Sequence, residues 1–207
     1  MSQFQELVLP GLFDSGPDHW QSHWCAARPS CRRVELGQWD HPTPALWVSR
    51  LDRAVARSTR PALLIAHSLG CLAVAWWAAE ASAARRAKVA GALLVAPPDV
   101  DRADAHPLIR AFAPAPAAPL AFPALLVASR DDPYASLARS RAIATAWHAE
   151  FVDAGALGHI NADSRLGDWP EGRALLDRLI RSARPGGGPF VAPDRAPAPR
   201  ADSGGRA

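Results

Sequence analysis

A serine stands between two apolar runs, in the pentapeptide Ala-His-Ser-Leu-Gly that ends at Gly70. The run before it (62–66) predicts a buried strand and the run after it (69–83) predicts a helix, so Ser68 falls on the turn between them. The pattern is that of the nucleophile elbow G-x-S-x-G, with Ala66 as its first small residue. Small residues at 66 and 70 let the two backbones approach, and a helix N-terminus favours negative charge at the hydroxyl. We therefore expect Ser68 to be a nucleophile; the alternative is that it only caps the helix.

The partners that a serine nucleophile needs follow it along the chain. A base must take its proton, and a carboxylate must hold that base in the correct tautomer. Asp131 and Asp132 follow the predicted strand 124–128, and His159 follows the predicted strand 149–152. Serine, then acid, then histidine is the order that α/β-hydrolases require. We choose Asp132 as the acid because it opens an Asp-Pro-Tyr turn, which makes Asp131 a flanking residue; the alternative is that Asp132 is only a turn residue.

Two backbone N–H groups must stabilise the oxyanion of such a reaction. One is expected from Leu69, the residue after the nucleophile, and the other from the loop after the first predicted strand. In that loop we choose Leu12 as the second donor. We also expect His19, on the same loop, and Trp169, which follows the loop of the histidine, to lie at the substrate pocket.

The elements that must position these residues alternate between strand and helix. Several apolar runs are continuous, which is typical of strands buried on both faces of a parallel sheet. We expect an α/β fold: a single-domain α/β-hydrolase with a mostly parallel six-stranded sheet, helices on both faces and ligands at the carboxyl ends of the strands. The predicted strands are 4–9, 32–36, 62–66, 91–96, 124–128 and 149–152, and the predicted helices lie near 17–27, 44–58, 69–83, 136–147 and 171–183.

Two segments carry poor helix and strand signals. The proline-rich segment 97–122 is expected to be a surface excursion between two strands, and it is the one segment that could cover the site, so the cap is minimal or absent. The end of the chain is dominated by Gly, Pro, Ala and Arg, which bury too little apolar surface to offset the entropy of ordering. We therefore expect a hydrolase domain over 1–184 and a disordered tail over 185–207.

Composition narrows the class of protein. The chain has 207 residues and a formal net charge of +3, with basic residues spread along its length, so we expect no nucleic-acid binding. Three cysteines without disulfide or ligand spacing fit a reducing compartment, and no signal peptide or membrane-spanning run is evident, which predicts a cytoplasmic protein. His19 and His23 have a spacing that can bind zinc, but no third ligand accompanies them, so we expect neither a metal nor a cofactor.

Five stretches together resemble one known family. They are LPGLFDSGPDHWQSHW (9–24), AHSLGC (66–71), LLVAPPD (93–99), ASRDDPY (128–134) and GHINADSRLGDWPEG (158–172). In this order and spacing the chain resembles, over roughly residues 5–183, the small serine hydrolases of the retinoblastoma-binding-protein-nine and YdeN type. The resemblance implies a compact α/β-hydrolase fold and a triad on Ser68, Asp132 and His159. Leu12 departs from the family, in which an aromatic residue often follows the glycine.

These residues predict a serine hydrolase that cleaves an ester, thioester or amide of a small to medium acyl group through an acyl-enzyme. Its partner is then a small-molecule or acylated substrate. Transfer of the acyl group to an acceptor other than water would use the same triad. The alternative from another class is a binding or scaffold protein on a hydrolase fold, and the tail is the feature that favours a protein partner.

Overall fold

A sheet of six parallel strands forms the centre of the protein, whose computed structural model describes residues 3–183. The strands lie in the order β2-β1-β3-β4-β5-β6, and every neighbouring pair is parallel. All residues of β3 and β5 are buried, as their continuous apolar runs predict. The bounds are β1 (Gln5–Leu9), β2 (Cys31–Arg33), β3 (Ala62–His67), β4 (Val89–Val95), β5 (Ala124–Ala128) and β6 (Glu150–Asp153).

All five predicted helices are present, with small shifts at their ends. The helix predicted over 69–83 stops at Glu80, because Ser82 begins a separate short helix by accepting the N–H of Arg85 on its Oγ. The helices are α1 (Trp20–Ala27), α2 (Pro44–Arg57), α3 (Leu69–Glu80), α4 (Ala83–Arg86), α5 (Pro107–Arg110), α6 (Leu137–Ala146) and α7 (Pro170–Ser182). The strand predicted over 32–36 is observed as β2, which begins one residue earlier and ends three residues earlier than predicted.

Helices cover both faces of the sheet, as the alternating pattern predicts. The apolar sides of α2, α3 and α6 pack on one face, and those of α1 and α7 pack on the other. Buried tryptophans fill both layers: Trp47, Trp77 and Trp147 on the first face, and Trp20, Trp24 and Trp169 on the second. Large aromatic side chains therefore supply much of the apolar area that holds the helices to the sheet.

The carboxyl ends of the strands meet at one edge of the sheet because every strand points the same way. The chain leaves β1 into residues 10–19, β3 into Ser68, β5 into residues 129–136 and β6 into residues 154–161. The residues expected to do chemistry therefore come together from four distant parts of the sequence.

The proline-rich segment 97–122 connects β4 to β5 with only one short helix, α5, in agreement with its prediction as an excursion. It is anchored by Phe112, which is fully buried, and by Ile109 on α5. The expected tail, 185–207, lies outside the described residues. Within residues 3–183, no helix combines the length and the apolarity needed to cross a membrane.

Candidate active site

Ser68 lies on a sharp turn between the end of β3 and the start of α3. Its backbone adopts φ 51° and ψ −124°, a left-handed conformation that costs a non-glycine residue free energy and persists only where the surroundings impose it. The Ser68 N–H donates to the carbonyl of Val95 on β4 at 2.9 Å. Its Oγ makes no capping bond to α3 and instead lies 2.8 Å from Nε2 of His159. The turn therefore presents the hydroxyl to the histidine rather than to the helix.

Two glycines make this close approach possible. A Cβ on Gly70 would lie 2.5 Å from the carbonyl oxygen of Pro10 and 2.6 Å from that of Leu9. A Cβ on Gly11 would lie 2.8 Å from the Cβ of Ser68. The atoms nearest to such a Cβ thus belong to the end of β1, the neighbouring strand, and to the residue after it, whereas the sequence attributes the need for glycine to the turn between β3 and α3. The loop after β1 is pressed directly against the serine.

His159 and Asp132 complete a line of hydrogen bonds from the serine. The Nδ1 of His159 lies 3.0 and 2.9 Å from the two carboxylate oxygens of Asp132. Both side chains are shielded from solvent, with 10% of the histidine and 3% of the aspartate exposed. Oδ1 of Asp132 also accepts the N–H of Tyr134 at 2.9 Å, so the turn after β5 fixes the carboxylate.

Asp131, the neighbouring acid, has different partners. Its Oδ1 accepts the hydroxyl of Ser129 at 2.7 Å and the N–H of Gly158 at 2.8 Å. These hydrogen bonds lower the pKa of the Asp131 carboxyl from its ordinary value, the serine contact most strongly. Asp131 therefore ties the turn after β5 to the loop that carries His159, without contacting the imidazole itself.

The two amides expected to stabilise an oxyanion both adjoin the serine. Leu69 is the first residue of α3, so its N–H has no acceptor within the helix. Leu12 follows Gly11, and within residues 3–183 its N–H has no backbone acceptor, whereas the next amide, that of Phe13, donates to Trp39. Both amides are thus available to an atom bound beside Ser68.

Two further histidines pack behind His159. His67 is buried, and its Nε2–H donates to the backbone carbonyl of His159 at 2.9 Å. The ring of His19 lies 4.7 Å from that of His67, and its Nδ1 accepts the N–H of Gln21. Burial, reinforced by the nearby His159, lowers the pKa of His19 to about 4 and that of His67 well below its ordinary value. Both rings are therefore uncharged at neutral pH.

A cavity of about 330 Å³ opens beside the serine; we call it the Ser68 cavity. Its walls come from the loop after β1, the turn at Ser68, the excursion 97–122 and the loops after β5 and β6. His19 lies in the wall, where the sequence expects it. The lining residues are Leu12, Phe13, Asp14, Gly16, His19, His67, Ser68, Pro98, His106, Ile109, Tyr134, His159, Asn161 and Ala162.

Trp169, also expected at the substrate pocket, does not line this cavity. It is 2% exposed and packs against the rings of Trp20 and Trp24 in the layer under α1 and α7. Its left-handed backbone (φ 42°) turns the ring beneath α7, where a Cβ on Gly172 would lie 2.2 Å from it. The expectation for Trp169 is corrected accordingly: its aromatic surface belongs to the core.

His19 and His23, four residues apart, take separate partners. His19 caps α1 through its Nδ1, and the Nδ1 of His23 lies 3.3 Å from Oδ1 of Asp168. Among residues 3–183, no three side chains of the types that bind metals form a group that could hold an ion.

Comparison with known proteins agrees with this architecture. The serine hydrolase family model matches residues 6–178. The solved structure of a YdeN-like hydrolase from Pectobacterium atrosepticum is 34% identical, with 88% of this chain and 94% of that chain covered and a TM-score of 0.76. No curated protein sequence gives a significant match.

Two more distant structures share the fold. The ydeN gene product of B. subtilis is 18% identical, with 85% of this chain and 98% of that chain covered and a TM-score of 0.67. The type II thioesterase BorB from the borrelidin biosynthetic cluster is 19% identical, with 87% and 90% covered and a TM-score of 0.55. At such identities the likeness shows the α/β-hydrolase fold alone.

Proposed function

Because the chain belongs to the serine hydrolase family, we propose that Ser68, His159 and Asp132 form its catalytic triad. The observation that carries this proposal is the unbroken line of hydrogen bonds, 2.8 Å from serine to histidine and 2.9 Å from histidine to aspartate. The reaction is hydrolysis of an ester, thioester or amide bond through an acyl-enzyme.

In the first half of the reaction, Ser68 Oγ attacks the carbonyl carbon of the substrate while Nε2 of His159 takes the hydroxyl proton. The Nδ1–H of His159 donates to Asp132, which holds the imidazole in the tautomer that leaves Nε2 free to accept. His159 then returns the proton to the leaving alcohol, thiol or amine, and the acyl group stays on Ser68. Water repeats the same steps in the second half and releases the acid.

The amides of Leu12 and Leu69 serve as the oxyanion hole. Each is unpaired and adjoins Ser68, so each can donate to the carbonyl oxygen as it gains negative charge. Leu12 acts through its backbone, so a leucine in place of the aromatic residue common in the family leaves this role intact.

The Ser68 cavity supports a substrate with a small to medium acyl group. Its volume of about 330 Å³ lies at the lower end of the range of about 300–1,000 Å³ for small-molecule sites.

The three cysteines of the protein are free thiols, which suits a hydrolase that works in the reducing cytoplasm.

The test is labelling with a fluorophosphonate probe, which reacts with an activated serine. Wild type is compared with Ser68→Ala and with Ser140→Ala, a buried serine on α6 that serves as the matched control. We expect mass spectrometry to locate the label on Ser68 in wild type and in the control, and no label in Ser68→Ala. A folded wild-type protein that takes no label would overturn the proposal.

A further inference from the structure

Two aromatic side chains stand exposed at the mouth of the Ser68 cavity. Phe13 is 65% exposed and Tyr134 is 45% exposed, and within residues 3–183 no other large hydrophobic side chain is exposed. Both line the cavity. Exposed apolar surface that gathers at one place on a protein marks an interaction site.

The backbone holds Phe13 in this exposed position. Phe13 and Asp14 are both left-handed, with φ of 62° and 70°, and neither is glycine. The Phe13 N–H donates to the carbonyl of Trp39 at 2.9 Å, and the Asp14 N–H donates to that of Gly11 at 3.2 Å. Two consecutive strained residues persist because these contacts impose the loop conformation. The exposure of Phe13 is therefore a fixed feature of the cavity.

The cavity offers no free charge to a substrate. Asp14 is the one carboxylate among its lining residues, and Oδ2 of Asp14 is paired with Arg33. The ring of Tyr134 contacts the ring of His159 edge-on, 4.5 Å between centroids, so an apolar group against Tyr134 lies beside the reacting atoms. The lining also contains polar groups, among them Nε2 of His19, which has no hydrogen-bond partner among residues 3–183, so the exposed rings of Phe13 and Tyr134 are the surface that favours an apolar group.

We propose that Phe13 and Tyr134 form a rim that binds the acyl chain of the substrate and selects esters or thioesters of uncharged, apolar acids. The proposal rests on the proposed function of Ser68. It adds the substrate class and the two residues that set it, since the apolar area buried against the rim contributes to binding in proportion to the acyl chain.

The test compares p-nitrophenyl acetate, p-nitrophenyl hexanoate and mono-p-nitrophenyl adipate, whose six-carbon acyl group ends in a carboxylate. In wild type we expect kcat/KM for hexanoate to exceed that of the other two by about tenfold. Phe13→Ala and Tyr134→Ala should each reduce the hexanoate-to-acetate ratio to near one. Phe13→Leu, which keeps an apolar side chain, is the matched control and should retain most of the ratio.

An unchanged ratio in both alanine variants, or adipate turned over as well as hexanoate, would overturn the rim. Fluorophosphonate labelling separates this failure from that of the proposed function. Label on Ser68 with a flat substrate profile overturns the rim alone. Absence of label on wild-type Ser68 overturns both.

A second observation, independent of the rim, concerns His67. Its Nε2–H donates to the backbone carbonyl of His159, the residue whose ring contacts Ser68. The bond joins the residue before the serine to the loop after β6, across 92 positions of sequence. His67 is 5% exposed, and its ring also packs against those of His19 and His159, so its orientation is fixed.

We infer that His67 is a positioning residue that sets the distance between His159 and Ser68 by holding the His159 backbone. His67→Leu removes the donor, while His67→Gln keeps an N–H near the same place. We expect kcat and the rate of fluorophosphonate labelling to fall about ten- to a hundredfold in His67→Leu with KM little changed, because small displacements of a catalytic group cost rates of that order. His67→Gln should recover most of the loss.

Equal losses in the two variants, with both folded by thermal melting, would show that only the shape of the imidazole matters and would overturn the positioning role. Wild-type rates in His67→Leu would overturn it as well.

Discussion

Two concave regions of this molecule differ in volume, in charge and in backbone conformation. The Ser68 cavity holds about 330 Å³ at the carboxyl ends of the strands, whereas a groove of about 540 Å³ runs between β1, β2 and α2. We call it the arginine groove, because five arginines line it and no histidine does: Arg32, Arg33, Arg50, Arg53 and Arg57. The larger and more charged of the two is not the one that holds the serine.

The Ser68 cavity differs from the arginine groove because its backbone and its polar side chains are held in fixed positions. Three of its lining residues, Phe13, Asp14 and Ser68, have strained left-handed backbones, and two of its histidines, His67 and His159, are shielded from solvent and hydrogen-bonded. None of the residues that line the arginine groove has a left-handed backbone. Catalysis needs donors and acceptors fixed to within fractions of an ångström, which exposed arginines on long side chains do not provide. Fixed geometry therefore favours the Ser68 cavity as the candidate active site, whereas cavity volume and charge would favour the arginine groove.

The largest loss of kcat is expected from substituting one of the two neighbouring acids after β5. Asp132→Asn should lower kcat by about 10⁴-fold, because an amide no longer holds His159 in the productive tautomer. Asp131→Asn should lower it by less than about tenfold, since Asp131 hydrogen-bonds Ser129 and the Gly158 amide and not the imidazole of His159. Steady-state hydrolysis of p-nitrophenyl butyrate measures both, and the reverse order of damage would show that the acid is misassigned.

A smaller loss of kcat is expected from a substitution where the loop after β1 contacts Ser68. Gly11→Ala should lower kcat by about a hundredfold, because the new Cβ would lie 2.8 Å from Ser68 Cβ and displace the nucleophile or the Leu12 amide. Gly16→Ala is the control: Gly16 lines the same cavity, yet a Cβ there meets nothing within 4 Å. Comparable rates in the two variants would contradict the close approach of this loop.

The buried histidines should make the fold acid-sensitive. The pKa of His19 is lowered to about 4, so in acid the unfolded chain binds a proton that the folded chain rejects. The stability linked to the neutral His19 ring is fully present above pH 6.5. As the pH falls from 6.5 to 4, the free energy of unfolding decreases by up to about 3 kcal/mol on account of this residue. His19→Asn keeps a capping acceptor but does not titrate, so urea denaturation between pH 4 and 7 should show a shallower loss.

His41→Asn is the matched control, because His41 is 79% exposed. At pH 7 this exposed substitution should change the free energy of unfolding by less than about 0.5 kcal/mol. Since burial lowers the pKa of His67 in the same direction, part of the acid sensitivity should remain in His19→Asn. Identical curves for His19→Asn and wild type would mean that His19 binds its proton equally well in both states.

The smallest effect is expected in the arginine groove. Arg53→Ala and Arg57→Ala, alone or together, should change kcat/KM for p-nitrophenyl butyrate by less than about twofold, because both side chains are exposed and line the other concavity. A loss above tenfold would show that the two regions are coupled.

The fold and the meeting of Ser68, Asp132 and His159 could be predicted because both depend on order along the chain. Alternating strands and helices imply a parallel sheet, and a parallel sheet brings residues that follow its strands to one edge. The choice of Asp132 over Asp131 as the partner of His159 came from a turn motif and agrees with the observed hydrogen bonds.

Side-chain direction could not be predicted in the same way. Trp169 lies close in sequence to His159, yet its left-handed backbone sends the ring into the core. The bond from His67 to the His159 carbonyl joins residues 92 positions apart, and no local pattern encodes it. The exposure of Phe13 depends on a strained loop anchored to Trp39, another contact that periodicity does not reveal.

The position of β6 at the border of the sheet has a consequence for the timing of activity during synthesis. Ser68 leaves the ribosome 91 residues ahead of His159, and the loop that carries His159 follows β6, the last strand of the sheet along the chain. A growing chain therefore displays its serine long before any base can reach it. On the proposed mechanism, a nascent chain cannot hydrolyse a substrate until β6 has paired with β5, so activity would report a complete sheet.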